Sequence, residues 1–113
     1  MDVIKLAKYV INSCINYGEP VTNKELQKIL YAIQKTYLQR FDKPFFNEDI
    51  EAWSFGPCIP VAFYHFAGMG RMPITIKFLV KIEEKDEKFF IDLVIKNYFL
   101  YKPKKLPTLW SGL

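Results

Sequence analysis

Two cysteines, one histidine and a knot of three carboxylates are the side chains of this 113-residue chain best suited to chemistry. A metal site needs several ligands at set spacing. His65 stands alone, and Cys14 and Cys58 form neither a Cys-X-X-Cys pair nor part of a Cys/His cluster. Cys58 and His65 are seven residues apart, which would place them on one face of a shared helix as a nucleophile and its base. Cys58, however, falls in the turn before the helix that Pro60 opens, so both are read as structural. Glu48, Asp49 and Glu51 could supply a general acid and base. Strand alternation puts only Asp49 and Glu51 on one side, and the reading is a solvated edge. The five glycines, at 18, 56, 68, 70 and 112, are scattered and make no phosphate-cradling loop. No catalytic, cofactor-binding or metal-binding residue is assigned, and the chain is read as a binding module, not an enzyme.

What the chain has in surplus is aromatic surface. Ten Phe, seven Tyr and two Trp make 17% of the residues. A core of this size has little room for so many rings, so some are expected at the surface, where rings serve contact. The net charge is +4, with Lys96, Lys102, Lys104 and Lys105 and no acid after residue 95. That basic tail invites an anionic partner or is simply solvated. Lys5 and Lys8 interrupt any signal-peptide-like run, and no apolar stretch reaches membrane-spanning length. With two cysteines and no disulfide framework, the expected setting is cytoplasmic, with buried free thiols and no membrane partner.

The elements that must position these residues follow from periodicity. Val3, Ala7, Val10 and Cys14 form a helical stripe over residues 3–17, stopped by Gly18. Thr22 followed by Glu25 is a capping box, and Leu26, Ile29, Leu30, Ile33 and Tyr37 make the buried stripe of a second helix ending near Phe41. Residues 50–55 alternate like a strand, which Gly56 and Pro57 end in a turn. Pro60 starts a third helix with the stripe Val61, Tyr64 and Phe66. Residues 74–82 carry the clearest strand-like alternation, with an extended loop as the competing reading. A fourth helix follows, with Phe89, Phe90, Leu93, Val94 and Tyr98 as its stripe and early acids suited to its dipole. The fold class is α+β, mainly helical: four to five helices with a small antiparallel β element, in a single domain over residues 1–113.

Nucleic-acid binding is the alternative the residues themselves raise. The first two helices and their short turn can be read as a DNA-binding helix-turn-helix regulator, with Lys24 and Lys28 on the second helix. Its base-reading side chains would be Asn23, Gln27 and Gln34. Tyr98, Tyr101 and Trp110 among the tail lysines could stack on single strands.

The pattern formed by Thr22 and Asn23, residues 26–31, Gln34, Leu38, residues 43–46, residues 50–53, Gly56 and Pro57, Pro60 and Val61, Tyr64 and Gly70 resembles the Panacea domain family. That family is also described through SocA-like antitoxins and phage-associated GepA-like proteins. The likeness is dense over residues 22–70, fair over the first helix and thinner over 93–110, where the family's Thr-His pair is Thr108 and Leu109. It implies a small helical domain that neutralises a protein toxin encoded nearby, in one type as an adaptor to a protease. It also leaves open a phage or mobile-element inhibitor of a host defence protein. No catalytic residue and no agreed contact residue comes with it. Within the motif Thr22, Glu25, Leu26, Leu30, Trp53, Gly56 and Pro57 are read as structural, with Ile50, Ala52 and Trp53 in the core. Lys28, Tyr31 and Gln34 are read as the partner-binding face.

Overall fold

The computed structural model describes residues 1–101 and is α+β, mainly helical. Lys102, Lys104, Lys105, Thr108, Leu109 and Trp110, read above, lie outside the described residues. Helix α1 (Val3–Asn16) is capped by Asp2, whose side chain accepts from the Ile4 N–H. It buries Val3, Leu6, Ala7, Val10, Ile11 and Cys14. The helix stops as expected at Gly18, whose φ of 77° few side-chain-bearing residues adopt. Gly18 N–H donates to the Ile15 carbonyl and Glu19 N–H to the Cys14 carbonyl, a Schellman closure that satisfies two orphan carbonyls.

Helix α2 (Asn23–Phe41) begins with the capping box as read: Thr22 Oγ1 accepts from Glu25 N–H at 3.2 Å, and Glu25 Oε1 accepts from Thr22 N–H at 3.0 Å. The cap sets where the helix starts, while packing sets its stability. A cap is worth about 1 kcal/mol, whereas each buried side chain such as Leu26, Ile29, Leu30 or Ile33 contributes about 2 kcal/mol. Helix α2 packs against α1, α4 (Lys85–Tyr101), the short α3 (Pro60–His65) and the hairpin, so it is the post around which the rest is arranged. A single core cluster gathers Leu6, Leu26, Phe46, Ile59, Phe66 and Ile91 with their neighbours.

The β element is shorter and turns earlier than its alternation suggests. Strand β1 (Glu51–Trp53) pairs antiparallel with β2 (Gly56–Cys58), so Ser54 and Phe55 make the turn while Gly56 and Pro57 belong to the returning strand. Gly56 has φ +125° and open space where a Cβ would stand, so it is there for conformation and not for close approach. Ala52 is exposed and Trp53 and Ile50 only half-buried. The hairpin meets α2 through β2, and a pair of three-residue strands is too short to bury both of its faces.

Residues 74–82 form no strand. Ile74 and Ile82 are buried, Phe78 and Val80 half-buried, and Ile76 is 58% exposed. The segment runs extended past α1, and its backbone is held by a side chain. Asn12 Nδ2 donates to the Phe78 carbonyl at 2.7 Å, and Phe78 N–H donates to Asn12 Oδ1 at 2.8 Å. One asparagine thus supplies the rung that a neighbouring strand would have made. A further bond, Ile74 N–H to the Val21 carbonyl at 2.8 Å, ties its start to the α1–α2 turn.

The stripes of the last two helices hold in part, with Phe66 and Val94 buried and Phe90 and Tyr98 packed partly buried against the core, and are otherwise rotated from their expected positions. In α3 the buried residue is Ala62, with Phe66 buried at its C-cap, while Val61 and Tyr64 are exposed. In α4 the buried residues are Ile91, Val94 and Ile95, while Phe89 and Leu93 face outward. An aromatic-rich helix offers two competing apolar stripes, and contact with α1 and α2 selects the one with β-branched residues. Glu84 caps α4 by accepting from the Asp86 and Glu87 N–H groups. A short 3-10 turn, Ala67–Met69, closes α3.

Candidate functional site

The buried polar residues of α2 explain how the surface around the hairpin is held. Gln27 is fully buried, and its Oε1 accepts from Ile59 N–H at 2.9 Å, just before α3. Its Nε2 donates to Asn23 Oδ1 at 3.1 Å, and Asn23 Nδ2 donates to the Phe63 carbonyl at 2.9 Å. Two amides on successive turns of α2 therefore stitch the start and the middle of α3 to the post. Every buried side-chain polar atom among the described residues finds a partner, so this is a satisfied network that fixes geometry.

Gln34 does the same for the loop before the hairpin. Its Oε1 accepts from Phe45 N–H at 2.8 Å and Phe46 N–H at 3.2 Å, and its Nε2 donates to the Phe46 carbonyl at 2.7 Å. The three amides that would read bases in a helix-turn-helix, Asn23, Gln27 and Gln34, are thus all engaged within the protein. The sequence could not reveal this, because an amide on a helix looks the same whether it faces solvent or a loop 12 residues away.

With α3 held, its outer face and the hairpin form an aromatic cluster. Trp53 lies 5.9 Å from Phe55, 5.1 Å from Phe63 and 5.8 Å from Tyr64, and Phe55 stacks on Phe63 at 5.7 Å. Tyr64 is 67% exposed. The Trp53 indole N–H donates to Glu51 at 2.9 Å, which orients the ring without burying it. Lys24 Nζ stands 5.3 Å over the Phe55 ring, a cation–π contact. Beside the cluster a cleft of about 560 Å³ is lined by Thr22, Lys24, Phe63, Gly70 and Arg71, among others. On α2, Lys24, Lys28, Tyr31 and Lys35 share one side by helical spacing. Lys28 is exposed and Tyr31 half-buried. So Lys28 and Tyr31 stand on the same side of α2 as Lys24, whereas the Gln34 side chain is occupied by the loop. Phe55, Phe63 and Tyr64 are members that sequence reasoning missed as site residues, and Trp53, read as structural core, was missed as one too. The available signal was the two-residue spacing of Trp53 and Phe55 in the alternating run of residues 50–55.

The ionisable candidates are brought into no catalytic arrangement. Burial, reinforced by the charge of Glu51, pushes the Cys58 thiol up to about 11. It is therefore held as a neutral thiol, a poor nucleophile. Cys14 is buried as well, and His65 is exposed, with its ring 4.8 Å from Phe66. Among the described residues, no three of the His, Cys, Asp and Glu side chains form a group that could hold a metal ion. None of their helices is long and apolar enough to cross a membrane.

Residues 26–110 match the family described as "Antitoxin SocA-like, Panacea domain". A curated relative, Antitoxin SocA of Caulobacter vibrioides (strain NA1000 / CB15N), is 31% identical over 70 residues, covering 62% of this chain. The same stretch covers 37% of the relative, so the chain spans well under half of that protein's length. No solved structure matches.

Proposed function

This chain belongs to the SocA-like, Panacea domain family, and on that premise we propose that it is an antitoxin that acts by binding a partner toxin protein. The observation that carries the reading is the aromatic cluster of the half-buried Trp53, Phe55 and Phe63 with the exposed Tyr64, beside Lys24. Large, rigid rings give contact area at low entropic cost, and Trp and Tyr are the residues most enriched at energetic hot spots. The cluster sits on a frame locked by the Asn23–Gln27 network, so it is organised before a partner arrives. Lys28 and Tyr31 extend this face along α2. The lysines speed and orient encounter, while the rings hold the complex.

Co-expression with the product of a neighbouring gene tests the reading. The expected result is rescued growth and a complex that survives purification. Tyr64→Ala or Trp53→Ala should weaken that complex by about 2 kcal/mol, roughly thirtyfold, with the domain still folded. His65→Gln and Cys58→Ala should leave neutralisation intact. Neutralisation lost only in the cysteine or histidine variant, with normal folding, would return the chain to the enzymes. Masking and delivery to a protease differ in one readout: the toxin's half-life is unchanged by masking and shortened by delivery.

A further inference from the structure

The opposite side of α2 carries a second surface that the toxin-binding reading does not use. By helical spacing, Thr36, Tyr37 and Arg40 point away from the side that bears Lys24, Lys28 and Tyr31. Between this side and α4 runs a groove of about 610 Å³. Its floor is aromatic: Phe90 lies 5.2 Å from Tyr37, 6.3 Å from Phe41 and 5.8 Å from Phe45. Its lips are exposed and apolar, with Phe41 52%, Phe89 70% and Leu93 45% exposed.

Charge divides the groove by wall. The α2 side contributes Arg40 and Lys43, and the α4 side contributes Glu84, Asp86 and Glu87. The two walls form no ion pair with each other, since the single salt bridge among the described residues is Lys88–Asp92. A groove with one basic and one acidic wall is complementary to itself. A two-fold axis along the groove sets each basic wall against the acidic wall of the other copy and brings the apolar lips together. Such an isologous contact uses one patch twice. A stable interface takes about 800 Å² from each partner, roughly a tenth of the 7652 Å² surface. From α2 the groove draws on the last two turns, Thr36 to Phe41, and from α4 on Asp86 to Asn97, so a contact of that size takes in the flanking Lys43 and Glu84 as well.

We propose that the α2–α4 groove is a homodimer interface, in which a second copy of this chain covers Phe41, Phe89 and Leu93 and pairs the two charged walls. The dimer leaves both hairpin faces outward. It does not rest on what those faces bind.

The test is the mass of the purified chain in solution, by sedimentation or light scattering, at about 10–200 μM, a range set by the micromolar affinity of modest interfaces. Twice the 13.4 kDa chain mass is expected. Leu93→Glu, an exposed change that leaves the core intact, should raise the dimer dissociation constant at least tenfold. Reversing the basic wall (Arg40→Glu with Lys43→Glu) or the acidic wall (Asp86→Lys with Glu87→Lys) should each abolish self-association. Mixing those two variants should restore a dimer, because each then supplies what the other lacks. A monomer throughout this range overturns the proposal and leaves the groove to a different protein. A dimer indifferent to Leu93→Glu, or wall-reversed variants that fail to pair when mixed, overturns it as well.

Discussion

Replacing Gln27 by Met keeps the length and volume of the side chain but removes both ends of the polar stitch between α2 and α3. Ile59 N–H then loses its acceptor and Asn23 Oδ1 its donor, both in buried residues. An orphaned buried polar group costs about 1–3 kcal/mol, so two such groups cost about 2–6 kcal/mol before relaxation. The extra apolar burial of Met returns part of this, and a net loss of about 3 kcal/mol is expected. A domain of this size is stable by roughly 6–17 kcal/mol, so the variant should still fold, with its melting midpoint lowered by about 12–18 °C. Gln34→Met is the informative control. Gln34 makes three bonds where Gln27 makes two, but it is only half-buried, and water can replace what is lost. Its loss should stay near 1 kcal/mol. Urea unfolding followed by circular dichroism would report both values, with equal slopes confirming a common unfolded state. The reasoning fails if Gln34→Met costs as much as Gln27→Met, or if Gln27→Met costs less than about 1 kcal/mol.

Thr22→Ala opens the capping box and should cost about 1 kcal/mol in the same assay, without loss of fold. Asn12→Leu removes the two bonds that hold Phe78, so amide exchange should accelerate across residues 74–82 while α1 and α2 keep their protection. Burial raises the Cys58 thiol to about 11 from its usual 9.0, and Tyr9 is also raised, first by burial and then by its hydrogen bond to Asp92. Both groups are neutral when protonated and bind their protons more tightly in the folded state. Their stabilisation is therefore present below the unfolded values and lost as pH rises through the folded ones. Stability should fall between pH 9 and pH 11, and Cys58→Ala should flatten part of that decline. Duplex DNA should bind weakly at about 0.15 M salt and release steeply as salt rises. Tight, sequence-selective binding there would revive the regulator reading.

The local code of this chain was legible wherever a short-range rule has a single answer. Thr22 with Glu25 set the start of α2, Gly18 stopped α1, and the stripe from Leu26 to Ile33 found the core, because each depends only on neighbours within a turn or two. The mainly helical α+β class followed from those periods, and the motif through Trp53 and Gly56 pointed to the family. Tertiary structure decided what alternation and amphipathicity leave open. Residues 74–82 alternate like a strand, but among the described residues no second strand lies beside them, and Asn12 supplies the rung instead. Val94 belonged to the expected stripe, but Phe89 and Leu93 were as good companions for it as Ile91 and Ile95 until α1 and α2 chose between them. Asn23, Gln27 and Gln34 look like surface amides in the sequence. Their partners, at Phe63, Ile59 and the 45–46 backbone, are carried to them only when the chain folds back on α2. The aromatic face is the residue of those choices, since Tyr64 is exposed because Ala62 and Phe66 fill the space beneath α3.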